Sequence, residues 1–82
     1  MALFDAENVK GDVVEIVKSK LSVDDDAVKD AVTFEDLGAD SLDLVEIIMA
    51  IEEKYDIEVT DDEAERITSV EKAINLVVRK KN

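Results

Sequence analysis

The chain of 82 residues carries 22 acidic residues against 10 basic ones, a net charge of −12, and contains no Cys and no His. A chain this short builds one thin core, burying roughly 60 to 65% of the surface its unfolded form exposes, and that excludes a deep enzyme cleft. Without Cys there are no disulfides or thiolate metal sites, without His the commonest general base is missing, and the negative charge repels nucleic acid phosphates, so any reaction chemistry comes from outside.

No apolar run approaches the roughly 20 residues of a membrane span. The N-terminal stretch holds Asp5 and Glu7 in place of the Arg-rich, acid-poor pattern of a transit peptide. A cytoplasmic protein, or a mature form already freed of a targeting segment, is expected.

Val9, Val13, Ile16 and Val17 recur at helical spacing and predict a first helix over about residues 6 to 20, with Gly11 weakening its first half. From Leu21 to Asp40 the period disappears. The acidic run Asp24 to Asp26 and Thr33 suggest a long loop, pinned to the helices by Val23, Val28, Phe34 and Leu37, with a short helical turn near Asp25.

A second helix is predicted over about residues 41 to 55, with Asp40 placed to cap it and Asp43 near its first-turn amides. Leu44, Ile47, Ile48, Ile51 and Tyr55 form its core stripe, while Leu42, Val45 and Met49 form a second stripe well over 90° away. Thr60-Asp61-Asp62-Glu63 has the form of a capping box and opens a short third helix ending near Arg66. Thr68-Ser69-Val70-Glu71 has the same form and opens a fourth, with Val70, Ala73, Ile74, Val77 and Val78 on its inner face. Lys72, Arg79, Lys80 and Lys81 suit its C-terminal half, where the dipole favours cations. The expectation is an all-α, four-helix bundle with a long first loop and a short third helix, residues 1–82 forming a single domain.

The charge is segregated. From Glu35 to Arg66 the 13 acids face only Lys54 and Arg66, a net of −11, while residues 1–34 contribute −4 and residues 67–82 contribute +3. Solubility alone requires no such block, whereas docking on basic protein patches uses one.

The sharpest local feature is Asp36-Leu37-Gly38-Ala39-Asp40-Ser41-Leu42-Asp43 at the loop-to-helix junction. Gly38 permits a turn that other residues resist, and Asp40 then starts the helix, leaving the Ser41 hydroxyl exposed at its first position. An exposed first-turn serine by itself means only helix initiation. This octapeptide, however, resembles the prosthetic-group attachment site of the acyl carrier protein family, in which the serine after Gly-Ala-Asp carries 4′-phosphopantetheine. The resemblance runs from about Val9 to Val78 and, with the stand-alone length, is closest to the bacterial-type fatty acid carriers.

The resemblance implies that a phosphopantetheinyl transferase (holo-carrier synthase), using coenzyme A and a divalent metal, attaches the arm to Ser41, and that the chain carries acyl groups for fatty acid synthesis enzymes without catalysing anything itself. It assigns partner binding to Asp40, Asp43, Glu46, Glu52, Glu53, Glu58 and Asp61, which fall where the family is acidic. Leu42, Val45 and Met49 either contact partners within this rim or pack on the long loop. The family also shelters acyl chains between helices, and Ile48, Ile51, Val59, Ile67 and Val70 are the candidate lining residues here, although most of them would be apolar in any bundle. A monomer without a membrane span or nucleic acid partner is expected. Two departures stand out: only Glu35 separates Phe34 from Asp36, one residue fewer than is usual, and Thr60 replaces a frequent proline.

Two other classes fail on residues. An EF-hand loop starting at Asp24 puts Val28 at a ligand position and Lys29 at the glycine position, and one starting at Asp36 puts Ser41 at the glycine position. Only loose cation binding that relieves self-repulsion is expected, with no dedicated metal site. Gly38-Ala39-Asp40-Ser41 is not a nucleophile elbow, and no histidine exists to complete a hydrolase triad.

Overall fold

The computed structural model describes residues 5–30 and 33–81; residues 1–4, 31–32 and 82 lie outside that description. The architecture is all-α. In chain order the elements are α1 (Ala6–Leu21), α2 (Asp25–Asp30), a 3-10 turn (Glu35–Leu37), α3 (Ser41–Tyr55), α4 (Asp61–Arg66) and α5 (Val70–Lys81). Four of these helices stand where the sequence puts them. The fifth, α2, is six residues long and occupies the first loop where a turn near Asp25 is expected. Asp24 starts it, its Oδ1 accepting the Ala27 N–H at 2.9 Å.

Helix α1 is central and packs against α5, α3 and α2. Asp5 caps it by accepting the Asn8 N–H at 2.9 Å, and Val9, Val13 and Val17, one turn apart, form its buried stripe. Neither α1 nor α3 ends on glycine: Ser22 (φ 55°) and Asp56 (φ 53°) take the left-handed conformation instead, and each turns its amide back to a helix carbonyl, of Lys18 and Glu52 respectively.

The core is continuous. Val9, Val13 and Val17 of α1 meet Ile47, Ile51 and Tyr55 of α3, Ala73, Ile74, Leu76 and Val77 of α5, and Val28, Phe34 and Ile67 from between them. The predicted anchors of the loop hold: Val28 and Phe34 are buried, and Val23 and Leu37 are half-buried against the same cluster. Leu76 widens the inner face of α5 beyond the predicted stripe. Helix α4 has no buried residue within its span, so capping, ion pairs and the buried Ile67 at its C-terminal end hold it.

The start of α5 differs from the expected capping box by one residue. Ser69, not Thr68, is the cap: its Oγ accepts the Lys72 N–H at 3.2 Å, and its carbonyl accepts the Ala73 N–H at 3.1 Å. Thr68 is occupied elsewhere, its carbonyl accepting the Phe34 N–H at 2.9 Å. That bond ties the long loop to the α4–α5 connection.

Candidate functional site

The stretch from Thr33 to Asp43 is built from consecutive local locks. Thr33 Oγ1 accepts the Asp36 N–H at 3.2 Å while Asp36 Oδ2 accepts the Thr33 N–H at 3.1 Å, a reciprocal pair at the start of the 3-10 turn. The turn closes on Gly38 at φ 79°, with the Gly38 N–H donating to the Glu35 carbonyl and the Ala39 N–H to the Phe34 carbonyl. This is the Schellman pattern, and it needs a left-handed residue at Gly38. A Cβ there would meet no neighbour, so the requirement lies in the backbone alone. The tighter spacing after Phe34 is thus accommodated by a 3-10 turn over a buried ring.

Two residues later a second reciprocal pair opens α3. Asp40 Oδ1 accepts the Asp43 N–H at 2.9 Å and Asp43 Oδ2 accepts the Asp40 N–H at 3.1 Å. The Leu44 N–H donates to the Asp40 carbonyl. Among the described residues the amides of Ser41 and Leu42 have no partner, nor does the Ser41 hydroxyl, and Ser41 is exposed. Two free N–H groups and the positive end of a 15-residue helix dipole therefore adjoin an accessible hydroxyl and favour an anion there, while the Asp40 and Asp43 carboxylates oppose one by repulsion.

Beyond Ser41 the second apolar stripe faces solvent. Leu42 is 67% exposed, Val45 51% and Met49 54%, so they do not pack on the loop. Of the acids expected around them, Asp40, Glu46, Glu53, Glu58 and Asp61 are exposed and Asp43 and Glu52 are half-buried. Glu52 is set apart by its bond: its Oε2 accepts the Val59 N–H at 3.0 Å, seven residues on.

The candidate acyl-pocket residues lie in or against the core. Ile51 and Ile67 are buried, and Ile48, Val59 and Val70 are half-buried beside them. Val70 also lines a groove of about 900 Å³ between α1, α2 and α5, floored by Val14, Val28 and Ile74.

Two polar anchors hold the elements that flank this surface. Tyr55 donates to Asp12 Oδ2 at 2.7 Å, joining the C-terminal end of α3 to α1, and burial together with this bond to a carboxylate raises the phenol above its ordinary value. Thr60 and Glu63 form the predicted box at α4, and Glu63 also pairs with Lys80 at 2.9 Å and Arg79 at 3.3 Å on α5. The Thr60 amide and the Lys80 ammonium hold the Glu63 carboxyl down at about 2. Among the described residues no group of three or more acids is placed to hold a metal ion, and no helix is long and apolar enough to cross a membrane.

The Thr33–Asp36 pair is not among the predicted caps, although Thr and Asp at a spacing of three are a capping-box signal. The Glu52 and Asp12 bonds had no signal in the sequence, because both link separate elements.

Comparison with known proteins decides the family. Residues 11–77 match the family described as "Phosphopantetheine attachment site". The chain belongs to the acyl carrier protein family. It is 54% identical over 78 residues to the acyl carrier protein of Sulfurovum sp., covering 94% of this chain and 96% of that one. It is 47% identical over 78 residues to that of Campylobacter lari, covering 94% of each, and 47% identical over 76 residues to that of Chloroherpeton thalassium, covering 92% and 95%. As a member of a carrier family it is not a catalyst, and the prosthetic group of the family is covalent 4′-phosphopantetheine. The exposed hydroxyl and free amides at the start of α3 suit the phosphodiester of that group.

Proposed function

We propose that residues 1–82 form a single carrier domain of fatty acid biosynthesis, with the 4′-phosphopantetheine arm attached to Oγ of Ser41. The observation that carries this reading is the accessible hydroxyl, engaged in no hydrogen bond among the described residues, at the first position of α3. The other serines are poorer candidates for physical reasons. Ser69 is buried and its hydroxyl caps α5. Ser19 and Ser22 stand at the C-terminal end of α1, where outward carbonyls repel a phosphate.

When attached, the arm supplies a terminal thiol that holds acyl groups as thioesters. The chain itself presents the hydroxyl, and the free amides of Ser41 and Leu42 favour the phosphate. Deprotonation is left to a phosphopantetheinyl transferase, as a chain without histidine requires.

Docking on that transferase and on fatty acid synthesis enzymes centres on Leu42, Val45 and Met49. Asp40, Asp43, Glu46, Glu53, Glu58 and Asp61 surround them with negative charge that steers basic patches into place. Glu52 lies in the same stretch, half-buried. Acyl chains enter among Ile48, Ile51, Val59, Ile67 and Val70 by parting a packed core, since Ile51 and Ile67 are buried in it. The charge of −12 opposes self-association, and a cytoplasmic monomer is the state proposed.

The test is intact mass after incubation with coenzyme A, magnesium and a phosphopantetheinyl transferase, for the wild type and Ser41→Ala. One phosphopantetheine added to the wild type and none to Ser41→Ala is the expected result. Equal gain by both proteins, or none by the wild type, removes Ser41 from this role.

A further inference from the structure

Glu52 and Glu53 are adjacent on α3 and carry the same charge, yet the fold treats them differently. Glu53 is exposed and, among the described residues, pairs with nothing. Glu52 is half-buried and receives three amides of the α3–α4 connection: its carbonyl accepts the N–H groups of Asp56 and Ile57, and its carboxylate that of Val59 at 3.0 Å. We infer that Glu52 is a positioning residue for the docking surface and not one of its contact charges. This rests on the proposed docking role of the α3 rim.

The backbone explains what the carboxylate controls. After Asp56 turns the chain, residues 57–60 alternate in exposure: Ile57 and Val59 are half-buried against the core, while Glu58 and Thr60 are exposed. Such a period of two belongs to an extended segment, and a slip of one residue would exchange the inward and outward sets. Apolar contact alone resists that slip weakly, because Ile57 and Val59 are each only half covered. The Val59 N–H is a part-buried donor with no helix or strand to receive it, and leaving it unpaired is costly. The Glu52 carboxylate satisfies it in one register only.

In that register Glu58 points outward, Thr60 caps α4, and Asp61 opens α4 beside it. Since α4 has no buried residue within its span, its placement depends on its connection to α3, on Glu63 and on the buried Ile67 that caps its C-terminal end. Glu52 therefore sets where Glu58 and Asp61 stand relative to Leu42, Val45 and Met49. A basic residue of a partner meets Glu53 and Glu46 directly and meets Glu58 and Asp61 only because Glu52 holds them in line.

Three variants of the full chain separate positioning from contact: Glu52→Ala, Glu52→Gln and Glu53→Gln. The measurements are amide hydrogen exchange at Val59, thermal melting, and KM with its salt dependence in loading by the transferase. Glu52→Ala should speed Val59 exchange roughly tenfold or more and lower the melting temperature by roughly 6 to 11 °C, as expected for one charge-assisted bond in a domain of this size. It should also raise KM. Glu52→Gln loses the charge but keeps an acceptor oxygen, so it should recover most of the Val59 protection and most of the KM. Glu53→Gln should leave exchange and melting unchanged while raising KM roughly two- to fivefold and flattening its salt dependence.

Unaltered Val59 exchange in Glu52→Ala, or equal rises in KM for Glu52→Gln and Glu53→Gln, overturns the inference. If the wild type accepts no arm at all, the carrier reading of Ser41 fails, and Val59 exchange in Glu52→Ala still decides whether Glu52 holds the connection.

Discussion

Helices α5 and α3 are both rich in apolar residues and dispose of them differently. In α5 every one, from Val70 through Ala73, Ile74, Leu76 and Val77 to Val78, is buried or half-buried, and the outer face is left to Lys72, Arg79 and other polar groups. In α3 only Leu44, Ile47, Ile48, Ala50, Ile51 and Tyr55 are covered in this way, and Leu42, Val45 and Met49 remain in solvent beside Ser41. Folding accounts for the composition of α5 completely. It does not account for the outer stripe of α3, where each large side chain, already a third to a half covered, still has about 1 to 2 kcal/mol to gain from full burial. In the docking role proposed above, the acidic rim concentrates that gain on basic partners.

The widest contrast should appear between two residues of α3 itself. Ile47 is fully buried, so Ile47→Ala should cost about 2 to 5 kcal/mol in urea unfolding, a large share of the stability of so small a domain. A cost below about 1 kcal/mol would show that the inner face of α3 is not the packed one.

The polar tether at the far end of α3 ranks next. Tyr55→Phe removes the 2.7 Å bond to Asp12 and should cost about 1 kcal/mol at neutral pH, toward the low end because Asp12 is half-exposed. The phenol is raised in the folded state, so this contribution is complete below its ordinary value of 10.0 and fades as pH rises beyond it. Wild type and Tyr55→Phe should therefore converge in melts above pH 10. A gap that stays constant through that range would argue against the bond.

Glu63 sharpens the comparison from the α5 side, because the basic end of α5 holds α4, which has nothing buried. Its carboxyl lies at about 2 against an ordinary 4.5, so what it contributes is complete above pH 4.5 and is lost as pH falls toward 2. In acid unfolding, Glu63→Gln should be less stable than wild type at neutral pH, and the difference should close across that window. Parallel curves from pH 7 to pH 2 would mean that the ion pairs to Lys80 and Arg79 contribute nothing.

The smallest effect on stability belongs to the outer stripe. Met49→Ala should change urea unfolding by no more than roughly 0.5 kcal/mol, and a double variant with Leu42→Ala should also stay folded. Transfer of acyl groups to a partner enzyme should nevertheless slow. Unchanged transfer by the double variant would sever the exposed stripe from docking.

Most helix starts are legible in the residues, because an N-cap is a local bargain between one side chain and an amide three positions away. Asp40 with Asp43 and Thr60 with Glu63 were placed in this way, and so was the hydroxyl of Ser41. The start of α5 is not decided locally. Thr68 and Ser69 are both capable caps, and the choice fell to Ser69 because the Thr68 carbonyl is drawn to the Phe34 amide, 34 positions earlier in the chain. Helix α2 was hard to see for another reason: six residues are too few to display a period.

By itself, the sequence determined the helical stripes, the caps, the acidic block and the motif around Ser41, since each depends on spacing within a few residues. Tertiary structure alone decided that Leu42, Val45 and Met49 stay uncovered, that Tyr55 reaches Asp12, and that Glu52 turns to Val59 while Glu53 does not. Periodicity states which residues share a face. Which face meets another element, and which carboxylate meets a stray amide, depends on how the chain folds back on itself.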